Sequence, residues 1–217
     1  VETIHANFER EFGIPFEDFR ALDLIGTQND SAEAIYNPEK YLLYCDPFMG
    51  QFDNRVKSGD AAGYADCAAR LSRYESHAEY GYLFRSLRTL CAFLSVKADL
   101  GIRTRAAYLS GDKKAAKALC TDYDAALERL DAFYAAYEQQ WMRENKPQGF
   151  DVVDLRIGGQ RQRLLHCRDR LLAYAEGRLD RIEELEEPVL DCCCEEKADG
   201  QATRAIFWHE IASANVI

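Results

Sequence analysis

A turn rich in polar residues, proline and glycine joins two long amphipathic segments, and this arrangement constrains the fold more than any other feature. The first segment, residues 112–145, has apolar side chains at steps of three or four: Ala116, Leu119, Tyr123, Ala126, Leu130, Phe133, Tyr137 and Trp141. The second, residues 152–176, repeats the spacing with Ile157, Gln160, Leu164, Cys167, Leu171 and Tyr174. Such spacing indicates helices with one apolar face. A short connection between them predicts an antiparallel pair.

The preceding part of the chain has the same helical character. Residues 58–78 carry Tyr64, Ala68, Leu71 and Ala78 at helical steps, and after Gly81 a wider stripe follows with Leu83, Leu87, Leu90, Leu94 and Ala98. Pro38 is typical of the first turn of a short helix, and Asp112 of a helix cap. We therefore predict an all-α fold, an antiparallel bundle of three to four long helices with short peripheral helices.

The chain divides into two unequal parts. Residues 1–36 have too few apolar side chains in register to fold alone, so we predict a connecting segment that either packs on the body or connects to something upstream. Residues 37–217 then form the helical domain, in which the acidic run at 183–188 is predicted to be a solvated loop. Because Val1 stands at the start and no signal-peptide pattern follows, we interpret the chain as a fragment of a longer protein.

Charge argues against polyanionic partners. The chain has 37 acidic and 27 basic residues, a net charge of −10, and the basic residues are mixed among the acidic ones. Nucleic acids and anionic membrane surfaces require clustered basic residues. No apolar run is long enough to cross a membrane. We therefore expect neither a nucleic-acid nor a membrane partner.

The eight cysteines do not form a disulfide pattern. Cys67, Cys91, Cys120 and Cys167 fall singly on helical segments, as small buried apolar residues do. Free thiols in this number favour a reducing, cytoplasmic location. The run Cys192–Cys194 is compatible with a soft metal or with a plain reduced segment, and we prefer the latter, because adjacent residues do not easily close a tetrahedral site. We expect no metal and no cofactor.

Catalytic motifs are incomplete. His209 and Glu210 begin the HExxH pattern of zinc proteases, but Ser213 stands where the second histidine is required. His77 and His166 lie in segments predicted to be helical and have no partner motif, so we interpret them as structural. The residues alone therefore indicate a helical domain without a catalytic constellation.

The turn itself concentrates hydrogen-bonding groups at the end of the predicted bundle. Pro147 ends the first helix and Gly149 permits a tight reversal. Our candidate interface or substrate-proximal residues are those of the turn and the start of the next helix: Trp141, Glu144, Asn145, Lys146 and Arg156. Gly158 and Gly159 each cost about 1 kcal/mol relative to alanine inside a helix. Helix packing within the domain, or the close approach of another subunit, would explain them.

Four strings carry a resemblance to a known family: NPEKYLLYCDPFMGQFD at 37–53, WMRENKPQGFDVVDLRIGGQRQRL at 141–164, GRLDRIEELEE at 177–187, and ANVI at 214–217. They resemble the C-terminal helical domain of bacterial β-N-acetylhexosaminidases of glycoside hydrolase family 20. The resemblance spans about residues 37–217. The cysteine run and residues 198–203 depart from it.

This resemblance implies an enzyme with a (β/α)8 catalytic barrel that removes terminal N-acetylhexosamine by substrate-assisted, retaining hydrolysis. Its catalytic Asp-Glu pair lies in the barrel and maps onto no residue here, so the chain alone should be inactive. The implied partners are that barrel and, in the parent enzyme, a second copy. An alternative is a free-standing helical adaptor that uses the aromatic cluster Tyr41, Tyr44, Phe48 and Phe52, which could equally be a hydrophobic cap over the core. A helical enzyme with an unrecognised site is a third possibility.

Overall fold

The computed structural model describes residues 2–26 and 38–189, and these residues form helices and turns without any strand. The α-helices are α1 (Glu2–Phe12), α2 (Phe16–Phe19), α3 (Pro38–Tyr44), α4 (Asp60–Leu71), α5 (Gly81–Lys97), α6 (Leu100–Leu109), α7 (Lys113–Glu144), α8 (Phe150–Ala175) and α9 (Glu183–Glu186). Short 3-10 turns span Arg20–Leu24, Asp53–Arg55 and Ser72–Tyr74. The predicted all-α fold is confirmed.

Helices α7 and α8 pack antiparallel along most of their length. The Tyr134 hydroxyl donates to Asp154 at 2.7 Å near one end, and Arg168 donates to Asp124 at 2.5 Å further along. The two residue numbers change in opposite directions, as they do only in an antiparallel pair. The buried face of α8 consists of Phe150 and the six residues predicted from spacing: Ile157, Gln160, Leu164, Cys167, Leu171 and Tyr174.

Helix α5 packs on the other side of α7, also antiparallel. Tyr82 near the start of α5 donates to Glu144 at the end of α7, and Ser95 near the end of α5 accepts from Arg129 in the middle of α7. Helix α4 packs against α5, and the shorter α6 against α7. The principal helices therefore follow the order α4, α5, α7, α8, each contacting the next.

The predicted helix over residues 58–78 is too long. Helix α4 ends at Leu71, and Ala78 lies in the turn before α5. His77, predicted to be helical, lies in this turn too, where its Nδ1 accepts the backbone N–H of Tyr80 at 3.1 Å. Alanine and tyrosine continue the helical spacing past Leu71, so periodicity alone did not reveal the end of the helix.

The N-terminal residues pack on the helical body. Ile14, Ala21 and Ile25 are buried in the same core as the principal helices. The ring of His77 also contacts the carbonyl oxygen of Gly13 at 3.3 Å, which fixes the turn after α1. Packing on the body is one of the two alternatives for this segment, while its role as a connecting segment and its division from the domain at residue 36 stay predictions, since residues 27–37 lie outside the described ranges.

The cysteines of the described ranges are buried and form no disulfide: Cys45, Cys67, Cys91, Cys120 and Cys167. Burial was predicted for the last four. The run Cys192–Cys194 and the pattern around His209 lie outside the described residues. In residues 2–26 and 38–189, no helix has both the length and the apolarity needed to cross a membrane.

Candidate functional site

Trp141 holds the turn between α7 and α8 together. Its indole Nε1 donates to the carbonyl oxygen of Lys146 at 2.9 Å, and the N–H of Asn145 donates to the carbonyl oxygen of Trp141 at 2.8 Å. Gly149 has φ +95°, and a Cβ there would lie 3.4 Å from the indole ring. The half-buried tryptophan thus satisfies backbone groups of the reversal and covers its glycine. Its ring also packs against Tyr137 on α7 and Phe150 at the start of α8.

Glu144 joins the end of α7 to the start of α5. Its carboxylate accepts from the Tyr82 hydroxyl at 2.7 Å and from the Gln140 side-chain amide at 3.2 Å. The guanidinium of Arg143 lies over the Tyr82 ring, 4.1 Å from its centre. Desolvation and the neighbouring Glu144 carboxylate raise the pKa of Tyr82. Helices α5 and α7 are therefore tied together at this end of the bundle, and the side chains of Asn145 and Lys146 lie exposed beside them.

An exposed apolar face runs along the outside of α8. Val152 is 41% exposed, Leu155 56%, and Met142 at the end of α7 44%. Gly158 follows Leu155 by three residues, which places it on the same face. A Cβ at Gly158 would meet no atom within 4 Å. Packing inside the domain was one of the two explanations for this glycine. It is wrong, because no described residue packs closely against Gly158. The outer face of α8 is therefore exposed at this position.

Arg156 follows Val152 by four residues, so it lies at the edge of this apolar face, toward α3. Burial raises the pKa of Tyr44 on α3, and the nearby positive charge of Arg156 opposes that rise. The Arg156 Nε atom is buried without a hydrogen-bond partner, and no carboxylate among the described residues forms an ion pair with this guanidinium. Buried polar groups are almost always paired in proteins. The structure therefore separates Arg156 from the other four predicted residues, and its guanidinium has no partner among the described residues.

Two turns further along α8, Arg163 is fully paired. Its Nε donates to Asp46 Oδ2 at 2.6 Å, and its Nη2 donates to Asp46 Oδ1 at 3.2 Å and to Glu184 Oε1 at 2.6 Å. Asp46 also accepts the backbone N–H groups of Phe48 and Met49. Burial alone would raise the pKa of Asp46, but Arg163 and these two donors outweigh it, and the pKa is lowered. Sequence reasoning missed this network.

The acidic run at 183–188 is not the solvated loop that we predicted. It forms the short helix α9, in which Leu185 is buried. Glu186 accepts from Arg181 and from the Tyr108 hydroxyl, and these two donors lower the pKa of Glu186 to about 2. Glu183 accepts from Arg170 at 3.0 Å. The run is helical because its carboxylates neutralise arginines and its leucine enters the core.

Buried cations also hold the loop after α3. Lys97 is 3% exposed, and its Nζ donates to the carbonyl oxygens of Leu42 at 3.1 Å and Cys45 at 2.6 Å. Arg105 on α6 donates to the carbonyl oxygen of Phe48. Backbone groups that water would otherwise solvate are thus satisfied by charged donors, which fixes the loop against α5 and α6.

The aromatic cluster of this loop belongs to the core. Phe48 and Phe52 are almost fully buried, Tyr44 is buried, and Tyr41 packs against Phe52 with 5.0 Å between ring centres. The cluster is therefore the hydrophobic cap, and it presents no aromatic platform for a partner. The adaptor hypothesis loses the surface on which it rested.

Three of the four strings that carry the resemblance converge along α8. Arg156 and Arg163 belong to the second string, Tyr44 and Asp46 to the first, and Glu184 to the third. In the described part of the chain, no group of three or more His, Cys, Asp or Glu side chains could hold a metal ion. The arrangement offers a charged, half-buried contact point rather than a reaction centre.

The comparison with protein families agrees with this convergence. The model described as the Glycoside Hydrolase 20C C-terminal domain matches residues 15–204, which is most of the chain and includes all three converging strings. A search among curated proteins finds no match. The resemblance stated from the sequence is confirmed. The chain therefore belongs to the family of glycoside hydrolase 20C C-terminal domains.

Proposed function

We propose that this chain is the non-catalytic C-terminal domain of a β-N-acetylhexosaminidase and that it supports the catalytic barrel of that enzyme. The parent enzyme removes terminal N-acetylhexosamine from glycans by substrate-assisted, retaining hydrolysis, and the barrel supplies the catalytic residues. The enzyme acts as a homodimer in the reducing cytoplasm. Family membership, the paired core of α8 and the many buried thiols support this proposal.

The open guanidinium of Arg156 is the observation that carries the proposal. The other arginines of α8 all form ion pairs within the chain: Arg161, Arg163, Arg168 and Arg170. A half-buried guanidinium with a buried, unpartnered N–H group can accept a carboxylate from a partner. In an enzyme built from a barrel and this domain, a carboxylate of the barrel is the natural acceptor. Arg156 then fixes the domain against the barrel.

The outer face of α8 suits the second subunit. Val152, Leu155 and Gly158 present an apolar surface with a glycine that lets another helix approach closely. A two-fold dimer needs one self-complementary patch of this kind. The apolar face of α8 is thus assigned to the second copy, and Arg156 at its edge is assigned to the barrel.

The test of barrel contact uses the full-length enzyme and a chromogenic N-acetylglucosaminide. Arg156→Met removes the charge and keeps the aliphatic stem, and we expect kcat/KM to fall by roughly tenfold or more, the effect of losing one charged hydrogen-bond pair. Arg161→Met, whose partner Asp131 lies on the surface, is the matched control and should behave like wild type. Wild-type activity in Arg156→Met would overturn the barrel contact. Cleavage by the 217-residue chain alone would overturn the non-catalytic role.

The test of dimerisation compares two exposed leucines by light scattering. Leu155→Glu on α8 should convert the dimer to a monomer, because it places a charge in an apolar interface. Leu109→Glu on α6 is the control, since Leu109 is 65% exposed and lies away from that face. A dimer that survives Leu155→Glu, or that dissociates equally in Leu109→Glu, contradicts the assignment.

A further inference from the structure

A groove of about 380 Å³ lies between α4, α5 and α7, on a face of the bundle that neither the barrel nor the dimer proposal uses. Four alanines contribute methyl groups to its lining, Ala65 and Ala68 on α4, Ala92 on α5, and Ala132 on α7. Arg88 and Arg129 line it, and no carboxylate does. The lining therefore combines apolar methyl groups with cationic side chains, in a chain whose net charge is −10.

Arg129 is fixed in place and still has donors to offer. Its Nη1 donates to the carbonyl oxygen of Ala92 at 2.9 Å and to Ser95 Oγ at 2.8 Å. Its Nε and Nη2 make no hydrogen bond to the described residues, and no described carboxylate pairs with it. A guanidinium held by two hydrogen bonds loses little further entropy when it binds a ligand. Its open donors are thus preorganised for a pair of acceptor oxygens.

The charge on the other side of the groove is only partly neutralised. Arg88 pairs with Glu75, but the same carboxylate also lies 3.5 Å from Nε of Arg85. One negative charge is therefore shared by two guanidinium groups. Together with Arg129, these side chains leave the groove positive, and a positive cleft with apolar walls concentrates anions from solution.

We propose that this groove binds a small organic anion through a carboxylate or phosphate group. Two oxygens of that group accept from Arg129, Arg88 contributes charge from the opposite side, and the apolar part of the ligand lies against the alanine methyl groups. Bidentate pairing with guanidinium is the strongest hydrogen-bonded recognition of both anions. A small apolar cleft with a few convergent polar groups is the usual form of a ligand site. The proposal is independent of the barrel and dimer contacts.

The experiment measures binding of inorganic phosphate to the full-length enzyme by the 31P line width, at an ionic strength held constant with chloride. Arg129→Gln should weaken binding by roughly tenfold or more, because the bidentate contact is lost. Arg161→Gln removes an exposed, ion-paired arginine on α8 and should leave binding unchanged. Acetate added in competition distinguishes the two kinds of anionic group. If acetate displaces phosphate, the site also binds carboxylates. If it does not, the site is specific for phosphate. Equal phosphate binding in wild type and Arg129→Gln overturns the proposal.

A second variant tests the groove without touching either arginine. Ala132 is exposed on α7, so Ala132→Glu should leave the helix intact while it places a negative charge in the groove, and phosphate binding should be lost. Gln139→Glu makes the same change of charge about two helical turns further along α7 and should bind like wild type. Binding that Ala132→Glu does not alter contradicts the site. So does phosphate binding by the 217-residue chain that disappears in the full-length enzyme, because the groove would then be a contact between domains.

Discussion

Two arginines on α8, seven residues apart on the stripe that faces α3 and its loop, have opposite surroundings. Arg163 contacts Asp46 twice and Glu184 once, so the chain itself neutralises its charge. Arg156 lies beside Tyr44 with its Nε atom buried and unpartnered. The difference separates two functions of one helix. The paired region stabilises the domain, and the open region is available to a partner.

This difference has an energetic consequence. Removal of one member of a buried ion pair leaves the other charge desolvated and uncompensated, which costs about 3–5 kcal/mol. Removal of a charge that has no partner leaves nothing uncompensated. The two arginines should therefore respond in opposite ways when stability and activity are measured separately.

The largest loss of stability should come from Arg163→Met. Asp46 is almost fully buried, so the free energy of unfolding should fall by about 3 kcal/mol, the lower part of the range for buried pairs, because Arg163 itself is partly exposed. Urea denaturation of the 217-residue chain measures this change. Arg161→Met breaks a surface pair on the same helix and should cost less than about 1 kcal/mol. Equal losses in the two variants would show that the Arg163 network is no more than a surface pair.

A loss of about 2 kcal/mol is expected for Lys97→Met, because the buried carbonyl oxygens of Leu42 and Cys45 lose their donor. The methionine keeps most of the side-chain volume, so the change isolates the hydrogen bonds. Lys114→Met, at the exposed start of α7, is the control and should be neutral in the same urea experiment. If Lys97→Met is as stable as wild type, this lysine does not hold the loop after α3, and the loop does not belong to the part of the domain that buried charges stabilise.

Acid should reduce the contribution of the Arg163–Asp46 ion pair to the free energy of unfolding. The folded-state pKa of Asp46 is below its ordinary value, so its contribution to stability is present above the unfolded pKa of about 4 and is lost as the pH falls through the folded pKa. Without Arg163, only the backbone N–H groups of Phe48 and Met49 oppose the effect of burial, so the folded pKa of Asp46 should rise. The difference in unfolding free energy between wild type and Arg163→Met should therefore be largest near neutral pH and shrink below pH 4. A difference that is independent of pH would assign the loss to packing instead of charge.

The periodicity of the sequence was sufficient to predict the long helices. It was insufficient to predict which side chains from other parts of the chain would contact them. The buried face of α8 could be predicted because six apolar or amide side chains repeat every three or four residues. The contact between Arg163 and Asp46 joins residues 117 apart, and no local pattern encodes such a pair. The acidic run was misjudged for a related reason, because the burial of Leu185 and the hydrogen bond from Tyr108 to Glu186, 78 residues apart, are not encoded in any local pattern. Arg156 was selected for its closeness to the turn, yet the feature that distinguishes it is a missing acceptor, which only the structure shows.

A smaller change, of opposite sign, is expected at Gly158. Gly158→Ala should stabilise the 217-residue chain by up to about 1 kcal/mol, because alanine favours the helix and its Cβ meets no atom within 4 Å. Gly149→Ala is the contrasting variant and should destabilise, since φ +95° strains any other residue. In the full-length enzyme, Gly158→Ala should also weaken the dimer on dilution. Stabilisation with an unchanged dimer would show that the outer face of α8 does not contact the second copy at this position.

The smallest effect on stability should come from Arg156→Met, and this result decides whether the contrast between the arginines is correct. Without a hydrogen bond or ion pair to lose, the unfolding free energy should change by no more than about 0.5 kcal/mol. The same variant lowers kcat/KM in the full-length enzyme if the barrel supplies the missing carboxylate. Arg156→Lys should restore only part of that activity, because an ammonium group cannot form the bidentate contact. A stability loss near that of Arg163→Met would mean that Arg156 is bound within the domain. An unchanged stability with reduced activity, recovered in part by lysine, can arise only if its partner lies outside the domain.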